Sequence, residues 1–122
     1  MLEVTDFLHR LDRLQHVNPD QLLSDHLPDL LHSFVKREAR GSSLEDVVDH
    51  HFRSGGKLLR GKLVISVSAF AKCDRNDTVK IAMATELLHN ASLVHDDICD
   101  SDDLRRGTAC VWKAFGSETA LC

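Results

Sequence analysis

With 122 residues, the chain has room for one core and not for two independent domains. Hydrophobic residues make up 43% and charged residues 28%, with six glycines and two prolines, a mix that excludes a disordered or fibrous segment and fits a helix-rich globular one. Nineteen acidic against fifteen basic residues leave a net charge of −4, which argues against a nucleic-acid partner.

Taken in chain order, Phe7, Leu8, Leu11 and Leu14 predict a first helix from about Val4 to Leu14. Asn18-Pro19 reads as the cap and first residue of a second helix, carried by Leu22, Leu23, Leu27, Leu30, Leu31, Phe34 and Val35 to near Gly41. Pro28 inside it is expected to bend or split it. Ser42 and Glu45 have the spacing of a capping box, opening a third helix through Val47, Val48 and Phe52. Gly55-Gly56 ends that run. Leu58, Leu59, Leu63, Val64, Ile65, Val67 and Phe70 are then apolar on nearly every side, which predicts a buried helix. Ile65-Ser66-Val67-Ser68-Ala69 also alternates like a strand, but length and the lack of hairpin signals favour helix.

The longest pattern follows Asn76-Asp77. Val79, Met83, Leu87, Ala91, Val94 and Ile98 step by three or four and predict a helix packed along that face as far as Asp100, about 36 Å. Gly107 marks a loop. Val111 to Cys122 shows no stop signal, so the chain is expected to be cut short there.

The four cysteines, Cys73, Cys99, Cys110 and Cys122, have no CxxC spacing and read as free thiols of a cytoplasmic protein. Acidic residues in the first six positions stand where a secretory leader would carry basic ones. No apolar stretch approaches the ~20 residues of a membrane span.

Chemistry concentrates near the end of the long helix. At ~100° per residue, His89, Asp96 and Asp100 fall on one stripe, with Asp97 about 80° around from His89. Carboxylates at i and i+4 repel each other unless a cation sits between them. Hard oxygen ligands that leave room for waters and phosphate oxygens suit Mg2+. An aspartate-rich helix end is, by itself, most often a solvated surface. Arg105-Arg106-Gly107 directly afterwards shifts that balance, because two guanidinium groups offer bidentate sites for phosphate. Upstream, Gly55-Gly56-Lys57-Leu58-Leu59-Arg60 places Lys57 and Arg60 three apart, expected on one helical face, behind glycines that expose helix-start amides to an anion. The spacing is not that of a Walker loop.

In this order, GGKLLRG, LLHNASLVHDDICD, LRRG and WKAFG strongly resemble the trans-isoprenyl (polyprenyl) diphosphate synthase family, from about Ser54 onward. The resemblance implies an all-α helical bundle of the isoprenoid synthase type, with residues 1–122 as the N-terminal, truncated portion of a single synthase domain. It implies a prenyltransferase that condenses an allylic diphosphate with isopentenyl diphosphate and requires Mg2+.

Residue by residue, it assigns Asp96 and Asp100 to the metal, with Asp97 supporting and Arg105 on the allylic diphosphate. Arg106, Lys57, Arg60 and His89 take the isopentenyl diphosphate pocket, and Gly56 supplies backbone. Catalysis would thus rest on Asp96, Asp97, Asp100 and Arg105. His50, His51 and His95 match no role and read as solvated or core histidines. A homodimer and delivery of the product to membrane enzymes belong to the same set of expectations.

The sequence departs from the family at Gly61 and Ala109, where proline is usual, and a second aspartate motif is absent. Four and five residues before Asp96, the small Ser92 and Ala91 stand where bulky aromatics resemble the short-chain pattern. The floor is therefore expected to be open and the product long, of the all-trans quinone side-chain type.

Two alternatives differ in class. A non-catalytic or regulatory subunit of a heteromeric prenyl synthase is argued against by the intact Asp96, Asp97 and Asp100 motif. An HD-type metal phosphohydrolase would use the His95-Asp96 pair, but it leaves GGKLLRG and LRRG unexplained. An isolated 122-residue chain is expected to be inactive.

Overall fold

The computed structural model describes residues 3–14 and 16–122. Among the described residues, seven helices run as α1 (Val4–Leu11), α2 (Pro19–Ala39), α3 (Glu45–Arg53), α4 (Leu59–Phe70), α5 (Arg75–Cys99), α6 (Val111–Phe115) and α7 (Ser117–Ala120). Between α5 and α6 lies a minimal hairpin of β1 (Leu104–Arg105) and β2 (Thr108–Ala109). The all-α class holds, and the alternating stretch at Ile65 is helical.

The hairpin was not anticipated. Its two-residue turn, Arg106 and Gly107, has φ of 52° and 78°, the doubly positive backbone that matches strand twist in a tight hairpin.

Helix ends follow local hydrogen bonding. Helix α1 stops three residues before Leu14, which is 47% exposed, because its buried face ends with Phe7 and Leu11. Asn18 caps α2, its Oδ1 accepting from the Asp20 and Gln21 amides at 3.0 and 3.3 Å. Pro28 does not split α2. It sits on the exposed side, while Leu23, Leu27, Leu30 and Leu31 hold the opposite face buried on both sides of it.

The capping box is displaced by one residue. Glu45 Oε2 accepts from the Gly41 amide, and Ser42 Oγ accepts from Leu44 N and donates to Ala39 O. Helix α5 starts earlier than Asn76 because Asp74 Oδ1 accepts from the Asn76 and Asp77 amides. It ends in a Schellman arrangement: Ser101 takes φ 57°, Ser101 N–H donates to Ile98 O, and Asp102 N–H donates to Asp97 O.

The chain divides into two compact units. The first comprises Met1–Phe34 with Lys57–Glu86, and the second Val35–Gly56 with Leu87–Cys122. Within the first, Leu23, Leu27, Ile65 and Val79 are almost wholly buried, each such side chain worth roughly 1.5–3 kcal/mol. Here α4 departs from expectation. Only Gly61 and Ile65 are buried, while Leu59, Leu63, Val67 and Phe70 face outward. Within the second unit, Val35, Ala39, Cys110 and Val111 are buried and α3 packs on α6.

The buried stripe of α5 also lies beside the expected one. Val79, Ala82, Met83, Glu86, Asn90 and Asp97 are buried, whereas Ala91 is exposed.

Candidate functional site

The second unit holds the end of α5 and the hairpin that follows it. Asp96 and Asp100 are both exposed, Asp96 in the last helical turn and Asp100 at the cap, one turn on. Asp97, between them, is turned inward and is 2% exposed. Its carboxylate receives Arg105: Nε donates to both oxygens at 3.1 and 2.9 Å, and Nη2 donates to Oδ1 at 2.6 Å.

Burial raises the Asp97 pKa, but hydrogen bonds from Arg105 and Cys110 and the Arg105 charge outweigh it and hold it below the ordinary 3.8. Arg105 is raised in turn, chiefly by its hydrogen bond to Asp97. The Cys110 thiol is pushed up to about 11 by burial, by its hydrogen bond to Asp97 and by that carboxylate's charge.

Two half-buried histidines of α3 lie beside this pair. His50 Nε2 donates to Ala109 O at 2.7 Å, tying α3 to the hairpin, and His51 Nε2 donates to the buried Asn90 Oδ1 at 2.8 Å. Each is thus held by one hydrogen bond to a distant partner. Downstream, Trp112 Nε1 donates to Asp102 O and Lys113 pairs with Asp103 at 3.0 Å, fixing the loop after the aspartates.

Arg106 occupies the hairpin turn, exposed, with its guanidinium over Gly56. A Cβ on Gly56 would stand 3.0 Å from both terminal nitrogens, so a larger residue there would push the exposed guanidinium aside by a few tenths of an ångström.

The first unit holds the other basic pair. Lys57 and Arg60 are both exposed but do not share a helical face. Gly55 and Leu58 take φ of 64° and 48°, so Lys57 lies in the segment before α4 and Arg60 in its first turn. Nor is the start of α4 a set of open amides, since the Gly61 N–H already donates to Glu86 Oε1 at 2.7 Å.

His89, Asp96 and Asp100 were expected on one stripe, and Asp96 and Asp100 are both exposed along it. An apolar cavity along α5 in the second unit, about 420 Å³, is lined by Val48, Phe52, Leu87, Ala91, Val94 and His95, among others. Ala91 and Ser92 are both exposed; Ala91 borders the apolar cavity, and Ser92 Oγ donates to His89 O at 2.7 Å.

Sequence reasoning missed Glu86 and Asn90. Their signal was position: both fall on the stripe of Val79, Ala82 and Met83, where a polar side chain needs a partner.

Among the described residues, no three His, Cys, Asp or Glu side chains converge on a metal position. The donor chemistry of Asp96 and Asp100 still fits Mg2+. Both are exposed carboxylates one turn apart, and this ion ordinarily takes one or two carboxylates and completes its shell with water and substrate phosphate. Asp97 stands apart from that pair, because it is turned away from solvent and bound to Arg105. No helix among the described residues is long and apolar enough to cross a membrane.

Comparison with known proteins matches residues 42–122 to the family described as Polyprenyl synthetase. The chain is similar to the geranylgeranyl diphosphate synthase of Saccharolobus solfataricus, 43% identical over 89 residues, covering 73% of this chain and 26% of that one. It is similar to the short chain isoprenyl diphosphate synthase of Methanothermobacter thermautotrophicus, 32% identical over 121 residues, covering 99% and 33%. The farnesyl diphosphate synthase of Bacillus subtilis is 39% identical over 82 residues, covering 65% and 27%. The chain thus spans about a quarter to a third of the length of these relatives. No solved structure matches.

Proposed function

The chain belongs to the polyprenyl synthetase family, and on that premise we propose that it forms the N-terminal part of a single prenyltransferase domain that condenses an allylic diphosphate with isopentenyl diphosphate. The observation that carries this is the division of labour among three aspartates. Asp96 and Asp100 are exposed as a pair, while Asp97 is withdrawn and bound to Arg105.

In the proposed reaction the allylic carbon–oxygen bond breaks and diphosphate leaves. The isopentenyl double bond then attacks the allylic carbon, and a proton is lost from the adduct. Charge developing on the leaving diphosphate is what the site must stabilise. Asp96 and Asp100 would hold Mg2+, which when bound offsets that charge. Arg105 pins Asp97 and so fixes the direction of the α5 end, and its allylic role would be exercised from that paired position. Arg106, supported on Gly56, and Lys57, Arg60 and His89 are read as ligands of isopentenyl diphosphate.

The class of reaction is better supported than product length. The small Ala91 and Ser92 support a long all-trans product, whereas relatives named for geranylgeranyl and farnesyl diphosphate support shorter ones. A homodimer, and transfer of the product to membrane enzymes, remain proposals on the family premise alone. The four free thiols support a cytoplasmic location. Family membership replaces the HD-type phosphohydrolase, and the exposed Asp96–Asp100 pair favours a catalytic over a regulatory subunit.

Steady-state kinetics of the complete protein test the reading. Asp100→Asn should lower turnover by about two orders of magnitude or more. Turnover near the wild-type value would refute the metal role.

A further inference from the structure

Helix α4 begins without a cap of its own. Its N-cap residue, Leu58, has φ 48° and ψ 40° and contributes no capping hydrogen bond. The first amides of a helix nevertheless need acceptors. Here one acceptor comes from a different helix. Glu86, from α5, accepts the Gly61 N–H at 2.7 Å in a buried setting. A glutamate only 2% exposed is unusual, because burying a carboxylate is costly unless something specific holds it. The positive end of the α4 dipole is such a setting.

Gly61 completes the contact from the other side. A Cβ there would meet Leu27 Cδ2 at 2.6 Å, Glu86 Cγ at 3.0 Å and the Ala82 carbonyl at 3.2 Å. Glycine therefore lets the first turn of α4 approach closely, and its amide is the group that Glu86 grips. Proline, usual at this place in the resembling family, has no N–H to offer. The left-handed Leu58 fits the same logic, since a strained residue persists only where its surroundings hold it. Leu58 and Gly61 bracket Arg60, and Lys57 immediately precedes Leu58.

We propose that Glu86 is a positioning residue: by capping α4 from α5, it fixes the first turn of α4, which carries Arg60, and the segment just before it, which carries Lys57, and so sets the affinity for isopentenyl diphosphate. This rests on the reading of Lys57 and Arg60 as ligands of that substrate.

Two variants of the complete protein separate the tether from charge and bulk. Glu86→Gln keeps the size and an acceptor oxygen, and Glu86→Met keeps the size without an oxygen; both remove the charge. Glu86→Met should raise KM for isopentenyl diphosphate about tenfold, with kcat and the allylic KM within about twofold of wild type. Glu86→Gln should stay within about threefold of wild type in all three.

Deuterium exchange at the Gly61 amide reads the cap without reference to activity. Protection should be lost in Glu86→Met and kept in Glu86→Gln. An unchanged KM in a folded Glu86→Met protein, or equal impairment in both variants, would overturn the proposal. If the wild-type protein binds no isopentenyl diphosphate while the exchange result holds, the reading of Lys57 and Arg60 is what fails, and the substrate half of the proposal falls with it.

Discussion

Arg105 lies against Asp97 so that two of its nitrogens reach both carboxylate oxygens at 2.6 to 3.1 Å, and the Cys110 thiol adds a further hydrogen bond to the same carboxylate. The middle aspartate of the three is thereby held in a structural pair, while Asp96 and Asp100 stay exposed. Removing Asp97 should therefore act on the fold. Asp97→Ala leaves a half-buried guanidinium without its partner and should lower stability by about 2–4 kcal/mol in urea unfolding. Asp96→Asn and Asp100→Asn, both exposed, should change stability by less than about 0.5 kcal/mol while abolishing most turnover. Equal urea midpoints for Asp97→Ala and Asp96→Asn would contradict this division.

Much of this arrangement could be read from the sequence. Asn18-Pro19 marked a helix start, and the seven- and four-residue steps from His89 to Asp96 and Asp100 placed the carboxylates on one stripe. What could not be read depends on partners distant in the chain. Gly61 and Glu86 are 25 positions apart, and His51 and Asn90 are 39 apart. Periodicity says that a position is buried, but not what meets it there. The Arg106-Gly107 turn was missed for a local reason, since the usual hairpin signal puts Asn or Asp before the glycine. The outward row of Leu59, Leu63, Val67 and Phe70 is not legible in the sequence, because apolar residues on every side of a helix look the same whether or not a neighbour covers them.

The cysteines give a second, independent check on the packing around Asp97. Cys73, Cys99 and Cys122 are exposed, while Cys110 is 2% exposed with its pKa pushed up to about 11. Since the thiolate is the reactive form, a disulfide reagent at about pH 8 should titrate three thiols rapidly and the fourth only on unfolding. Rapid reaction of all four would show that Cys110 is open to solvent. In Asp97→Ala the fourth thiol should become faster, because the packing that buries it is loosened.

Acid sensitivity should appear in two windows. Burial holds the His51 pKa below its ordinary 6.5, with the charges of Arg106 and Arg105 acting the same way against the hydrogen bond to Asn90 and the charge of Asp97. Below pH 6.5 the unfolded chain takes up a proton that the folded one refuses. The stability held by neutral His51 is thus complete above 6.5 and falls as the pH drops toward the folded value. His51→Gln, which keeps a donor for Asn90, should flatten this slope in thermal melts. Asp97 acts lower. Its pKa lies below 3.8, so its contribution is present above that value and is lost as acid protonates the folded carboxylate. A wild-type melting temperature that stays constant from neutrality to about pH 5 would rule out the His51 effect.

Product length is where sequence and relatives pull apart, and α5 offers a way to decide. Ser92 lies one turn before Asp96 on the same stripe and is exposed, so a chain growing away from the aspartates along that stripe would pass it first. Ala91 is offset by one residue and borders the apolar cavity of about 420 Å³ with Leu87 and Val94. A phenylalanine at either place would obstruct a different route. If the chain follows the stripe, Ser92→Phe in the complete enzyme should shorten the products separated by chromatography, and Ala91→Phe should not. If it enters the cavity, the effects should be reversed. Condensation of the first isopentenyl unit should be unchanged in both, because neither residue is read as a diphosphate ligand. A double variant with the wild-type product distribution would place the stop elsewhere and remove the argument for a long product.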